Sequence, residues 1–256
     1  MNKALEIKNV KIGEGIPKIC TSIIGRSLIE ILEEAEVIKE TSADIVEWRV
    51  DFYEHYDNLK EVINALSKVS NIIPDKPLIF TFRSKAEGGE NEITSETYFK
   101  LNRAAAESGY ADIIDVELFN EEENIRSLIH FAHEKAVSVI VSNHDFKKTP
   151  EKCEIIKRIL KAWDLGADIP KIAVMPQNTL DVITLLDASI IVKEEYGNGP
   201  VITMSMAGKG LISRLSGEIF GSDVTFGAAK KASAPGQISV KDLRNIINLI
   251  HDNLYI

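Results

Sequence analysis

The chain has 256 residues, 45% of them hydrophobic and 27% charged, enough to bury a large core, and one domain spanning 1–256 is the expectation. Its net charge of −9 repels nucleic acid and anionic membrane, and no Lys/Arg cluster reverses that field, so an anionic substrate has to be drawn in by a local cationic pocket. Two cysteines, Cys20 and Cys153, are too few for a disulfide framework, and with no signal-peptide core or membrane-length apolar run in view the expected setting is the cytoplasm.

Two short alternating runs, Leu5 with Ile7 and Val10 with Ile12, flank Lys8-Asn9 and predict a hairpin. From there, short Val/Ile/Phe-rich segments alternate with longer amphipathic ones. Strands are predicted near 18–23, 44–49, 77–82, 111–116, 137–143, 168–175, 200–205 and 222–226. Helices are predicted near 27–40, 58–70, 95–108, 121–135, 150–164, 178–195, 209–217 and 240–254. Thr149-Pro150 has the look of a cap with a first-turn proline. Asn120 with Glu123 and Ser239 with Asp242 have capping-box spacing, and Gly109 and Gly166 stand at helix exits. Eight βα units make an α/β fold, a (β/α)₈ TIM barrel whose amino-terminal hairpin is placed to close the bottom.

Side chains alternate across a strand, so one parity of each barrel strand faces the interior. In EWRVD one parity holds Glu47, Arg49 and Asp51 and the other Val46, Trp48 and Val50, so the polar set points inward. Arg83 shares a face with Thr81 and Ile79. Asp115 and Glu117 share one with Ile113, His144 with Ser142 and Ile140, and Lys171 with Ala173 and Met175. Taken alone, a strand lysine is ordinarily a solvated edge residue, and an Arg and a Glu on adjacent strands are ordinarily a structural ion pair. Convergence changes the reading, because uncompensated interior charges cost several kcal/mol each and an inert barrel fills those layers with Val, Ile and Leu.

A lysine amine attacks carbonyls when neutral, so Lys171 is expected to need burial or neighbouring cations, supplied by Ala173, Met175, Met204, Met206 and the arginines. The imine then acidifies the adjacent C–H, and His144 is the natural base and acid. Arg214, in GKGLISRLSG, is read either as a bidentate carboxylate ligand or as a solvated helix arginine. Glu121 to Glu123 read as a solvated cluster at a helix start. Segments 84–92 and 230–239, punctuated by Gly and Pro, have the composition of mobile lids. No phosphate-cradling glycine pattern or metal-ligand cluster is apparent, so no cofactor and no metal are expected.

Together EWRVD, FTFRSKAEGG, DIIDVEL, VSNHDF, ADIPKIAVMP, MSMAGKGLISR and SAPGQ resemble, in order and over nearly the whole chain, the type I 3-dehydroquinate dehydratase family. The resemblance implies cis-dehydration of 3-dehydroquinate to 3-dehydroshikimate in the shikimate pathway, by a barrel that is commonly a homodimer. It implies Lys171 as the imine-forming residue, His144 as acid/base, and Glu87 acting through the histidine. Arg214 would hold the substrate carboxylate. Glu47, Arg49, Arg83, Ser233 and Gln237 would contact hydroxyls or close the lid, and Ser22, Met204, Met206, Phe226 and Ala234 would line the pocket. An aldolase-like lyase, which also uses barrel Schiff-base lysines, and an inert barrel that only binds an anion remain the alternatives.

Overall fold

The computed structural model describes residues 4–230 and 232–254. Strands β1 (Leu5–Ile7) and β2 (Val10–Ile12) pair antiparallel around Lys8-Asn9, with Lys8 in the left-handed region at φ 52°. Lys8 Nζ ties that turn to the carbonyl of Lys76, at 2.9 Å, and to the Asp112 carboxylate, at 2.8 Å.

Eight parallel strands follow: β3 (Lys18–Ile23), β4 (Ile45–Arg49), β5 (Leu78–Thr81), β6 (Ile113–Glu117), β7 (Ser138–Asp145), β8 (Ile169–Val174), β9 (Ile202–Ser205) and β10 (Val224–Phe226). Their spatial order is β10-β3-β4-β5-β6-β7-β8-β9, each hydrogen-bonded to the next. No ladder joins β9 to β10 among the described residues, but Asp223 N donates to Val201 O at 2.8 Å where the two strands begin, so the barrel is nearly closed. Every predicted strand is present: 18–23 is unchanged, β6 and β7 run one and two residues further at their carboxyl ends, and the other boundaries move inward by a residue or two.

Strand parity sorts the core as the alternation requires. Ile45, Ile79, Ile113, Ile140, Ile169 and Ile202 form one buried interior cluster, and Ile12 from the hairpin joins it with no exposed surface. The hairpin therefore plugs the barrel's lower end, where burying one isoleucine contributes about 1.5–3 kcal/mol. Val46, Trp48, Leu78, Phe80, Ile114, Val116, Val139 and Val141 face outward and pack beneath the helices.

The surrounding helices are α1 (Leu28–Lys39), α2 (Leu59–Ile72), α3 (Ser95–Glu107), α4 (Glu122–Glu134), α5 (Lys152–Leu165), α6 (Thr179–Ile191), α7 (Leu211–Leu215), α8 (Gly217–Phe220) and α9 (Val240–Leu254). Their ends correct several expectations. Helix α5 is capped at Glu151, two residues past Thr149, whose hydroxyl donates instead to Met175 O at 3.2 Å. Helix α4 is capped at Glu121 without a side-chain bond, and Asn120 Nδ2 turns back to Glu117 O. Full capping boxes form at Ser27 with Glu30 and at Asn178 with Asp181, neither of them anticipated. Ser239 does accept from Asp242 N at 3.0 Å, as expected.

The predicted helix 209–217 is broken into a 3₁₀ turn at Gly208–Gly210, then α7, then α8. Gly210 and Gly217 are responsible. Each lies so close to a neighbouring backbone carbonyl, of Ser205 and of Ser222, that a Cβ would collide with it. The predicted helix 178–195 likewise ends as α at Ile191 and continues as a π turn, Val192–Tyr196.

Candidate active site

The carboxyl ends of the strands surround a cavity. Glu47, Arg49, Arg83, Glu87, His144, Lys171, Met204, Met206, Arg214, Phe226, Ser233, Ala234 and Gln237 line it, as anticipated. Ser22 does not. It lies beneath the lining, donating to Glu47 Oε2 at 2.8 Å and accepting from Ser233 Oγ at 2.9 Å.

Lys171, the third residue of β8, is 4% exposed. Its Nζ lies 3.3 Å from Glu47 Oε1 and 3.3 Å from Asp115 Oδ2, and 4.7 Å from the centre of the Phe226 ring. This corrects the expectation that arginines crowd the amine, since the groups touching it are carboxylates. Burial alone would raise both carboxyls. Lys171 with Arg49 holds Glu47 below its ordinary value, and Arg83 with Lys171 holds Asp115 below its own. The amine therefore sits between two anions, screened from water.

Arg83 is saturated by partners. Its Nη1 donates to Glu117 Oε1 and Ser142 Oγ, both at 2.9 Å, and its Nη2 to Asp115 Oδ1 at 2.8 Å. Arg49 is held bidentate by Asp51, at 2.7 Å twice. Asp51, fully buried, also accepts from Arg83 N and Glu90 N, and its carbonyl accepts from Asn91 Nδ2. Hydrogen bonds to Asp51 thus hold segment 84–92 as one wall of the cavity. A Cβ on Gly89 would drive into the Arg83 carbonyl, which accounts for the glycine.

That wall delivers Glu87 to His144. Glu87 Oε2 is 2.9 Å from His144 Nδ1 and accepts from His144 N at 2.9 Å, while Oε1 accepts from Asn143 Nδ2 at 3.0 Å. Burial pushes the Glu87 carboxyl up to about 7, against the pull of Arg83. Burial also drives His144 well below its ordinary value, helped by Arg83, Lys171 and Arg49. The imidazole is therefore neutral in the ligand-free protein, with Nδ1 engaged and Nε2 left for the cavity.

Arg214 is 1% exposed, which rules out the solvated reading. Ser213 Oγ accepts from Ser205 N at 2.9 Å and donates to Gly210 O at 2.7 Å, tying the short α7 to the end of β9 and aiming its arginine inward. The guanidinium has modest partners, Met204 Sδ at 3.6 Å and Pro235 O at 3.2 Å, while its Nε is buried without any. Among the described residues it pairs with no carboxylate. Burial lowers it to about 10, so it stays charged at neutral pH, a buried cation lining the cavity.

Segment 232–237 covers the cavity. Ser233 N and Gln237 Oε1 are 2.9 Å apart, Gln237 Nε2 donates to Ser233 Oγ at 3.0 Å, and Ala207 N donates to Pro235 O at 3.2 Å. Lys231, in the same predicted lid, lies outside the described residues. Phe52, Phe146 and Pro235 also line the cavity and were missed. Phe52 ends a 3₁₀ turn after β4 and the other two lie in loops after β7 and β10, where no alternation marks the inward side.

Residues 19–254 match the family model described as type I 3-dehydroquinase. The chain belongs to the type I 3-dehydroquinase family. A Bacillus licheniformis protein named 3-dehydroquinate dehydratase is 54% identical over 254 residues, 99% of this chain and all of that one. A protein of the same name from Clostridium botulinum is 55% identical over the same span. The crystal structure of a type I 3-dehydroquinate dehydratase from Clostridium difficile with covalently modified comenic acid has a TM-score of 0.97 at 52% identity, covering 99% of this chain and 100% of that one. A 3-keto-L-gulonate-6-phosphate decarboxylase from Vibrio cholerae, 15% identical with a TM-score of 0.60 over 92% of this chain and 99% of that one, shares the fold alone.

Proposed function

We propose that this 3-dehydroquinase-family barrel, acting as one catalytic domain, converts 3-dehydroquinate to 3-dehydroshikimate by cis-dehydration through a Lys171 imine. The observation that carries the reading is one cavity lined by a buried amine, a neutral His144 and the buried, charged Arg214.

Arg214 binds the substrate carboxylate, and Lys171 Nζ adds to the C3 ketone. The addition needs the amine in its neutral form, flanked by the Glu47 and Asp115 carboxylates. Loss of one water gives the iminium, an electron sink for the adjacent carbon. His144 Nε2 removes the C2 proton, leaving an enamine, and the imidazolium is stabilised by Glu87 through Nδ1. The imidazolium then protonates the C1 hydroxyl, which departs as water while the enamine electrons form the C1–C2 double bond. Hydrolysis consumes one water, frees the 3-keto product and regenerates Lys171. Glu47, Arg49, Ser233 and Gln237 meet the hydroxyls, Arg83 holds the carboxylates in place, and Met204, Met206, Phe226 and Ala234 keep water out. Ser22 joins the lid to Glu47.

Incubation with dehydroquinate and borohydride, followed by peptide mapping, should place the reduced adduct on Lys171. Turnover without an adduct there would overturn the covalent route, and cleavage of sugar phosphates with dehydroquinate untouched would overturn the reaction. The same reading takes the chain to be a cytoplasmic homodimer. Light scattering should then give twice the 28.4 kDa chain mass, and a monomer would refute the dimer.

A further inference from the structure

Strand parity carries an anomaly on β7. Val139, Val141 and Asn143 face outward, and the first two are packed under the helices. Asn143 is as buried as they are, 2% exposed, in a row that burial ordinarily fills with apolar side chains. Its amide has two partners. Nδ2 donates to Glu87 Oε1 at 3.0 Å, and Oδ1 accepts from Arg158 Nη1 at 2.9 Å. Arg158 comes from α5, outside the barrel. It is itself fixed by Glu154 Oε1, 2.8 Å from its Nε, and by the Phe119 ring, whose centre is 5.2 Å from its Cζ. A second cavity is bordered by Glu87, Asn143, His144 and Arg158, and of these Glu87 and His144 line the substrate cavity as well.

An amide can present either its oxygen or its nitrogen to Glu87. Guanidinium has donors and no acceptor, so Arg158 accepts one answer: the oxygen faces outward and the NH₂ faces Glu87. A donor on Oε1 favours the ionised carboxylate, whereas a flipped amide would offer an acceptor and favour the protonated one. With Glu87 ionised, its Oε2 is an acceptor, so the proton on the imidazole belongs at Nδ1 and the lone pair at Nε2, toward the cavity.

From this we infer that Arg158, acting through Asn143, is a positioning residue that selects the base-competent tautomer of His144. The inference rests on the dehydratase reading, in which Nε2 removes the proton. The charged groups facing the Glu87–His144 pair are Arg83 from the end of β5, Glu117 from β6 and, toward the substrate, Arg49 and Lys171. Arg158 touches none of them, so its effect travels through the amide.

The test compares wild type, Arg158→Met, Arg158→Lys and Glu154→Gln over a range of pH. In Arg158→Met, kcat should fall about tenfold, a fraction of the 10²–10⁴ supplied by a positioned acid–base group. KM should stay within about twofold, because the side chain does not reach the substrate cavity. The acid limb of kcat should move to higher pH, and the ¹⁵N spectrum of the imidazole should show loss of the Nδ1–H form. Borohydride trapping at Lys171 should persist. Arg158→Lys, which still donates to the amide oxygen, should restore most of kcat, and Glu154→Gln, whose amide oxygen still accepts from Arg158 Nε, should match wild type. Unchanged kcat and acid limb in Arg158→Met would overturn the inference. So would equal losses in Met and Lys variants with the limb in place, the mark of a merely structural role. A wild-type protein that neither turns over dehydroquinate nor labels at Lys171 would overturn the dehydratase reading as well, and that control separates the two failures.

Discussion

Arg214→Met should make the ligand-free protein more stable and less able to bind its substrate. Burial lowers the guanidinium to about 10, well below its ordinary value. At about 1.4 kcal/mol per tenfold, the folded protein carries about 3 kcal/mol of desolvation strain at every pH below about 10, relieved as pH climbs from there toward the ordinary value. Methionine removes that charge and keeps much of the volume. Against the gain stand the bonds to Pro235 O and Met204 Sδ, the first about 1–2 kcal/mol and the second weaker at 3.6 Å. A net gain of about 1–2 kcal/mol remains, and for a chain of this size each kcal/mol shifts Tm by about 2–4 °C. Calorimetry at pH 7 without ligand reads it directly. With dehydroquinate at about 100 Kd, wild type should gain about 2.7 kcal/mol more, while the variant, whose Kd has risen roughly hundredfold or more, should gain little at that concentration. A variant that melts lower than wild type without ligand, or that keeps the ligand-induced rise, would refute the assignment of Arg214 as a strained anion receptor.

Other perturbations probe the remaining parts. Lys171→Ala should abolish turnover and borohydride labelling, whereas His144→Ala should still label while stalling at proton removal; equal loss of both steps in His144→Ala would contradict that division of labour. Glu87, raised from 4.5 to about 7, contributes stability that is complete below about pH 4.5 and is lost as pH climbs through about 7, an order of ~3 kcal/mol in the limit. His144, lowered from 6.5, contributes in the opposite sense, present above about 6.5 and lost as pH falls through its folded value. Urea midpoints should therefore show wild type losing ground to Glu87→Gln between pH 5 and pH 8; a constant gap would exclude the Glu87 contribution. Asp51→Asn leaves the Arg49 guanidinium buried beside a neutral amide and loosens segment 84–92, so it should cost about 3–5 kcal/mol in denaturant unfolding. Ile12→Ala should cost about 2–5 kcal/mol with KM unmoved, since the plug lies at the end of the barrel away from the substrate.

Alternation made much of this legible. Period two separates Glu47 and Arg49 from Val46 and Trp48 without any tertiary knowledge, and the same argument places Lys171 and His144 inward. Short-range rules failed where tertiary contacts decide. Thr149 left its cap to reach Met175, and the helix expected at 209–217 broke because two glycines abut the carbonyls of Ser205 and Ser222. Periodicity also says nothing of who pairs with whom. Arg49, Arg83 and Arg214 looked alike as pocket cations, yet Asp51 pairs with the first, Asp115 and Glu117 with the second, and among the described residues no carboxylate meets the third. Asn143 had a signal that went unused, a polar residue in an apolar outward row. Arg158, on a half-solvated helix face, had none.

The hairpin plug gives the barrel a topology of traffic. With Ile12 buried in the lower end, the way into the chamber above Lys171 is at its upper end, beside Ser233, Ala234 and Gln237. Substrate and product share that doorway, so each departure has to precede the next arrival. Product lingering inside should then act as a competitive inhibitor, and the opening of the doorway sets a ceiling on turnover however fast the proton moves.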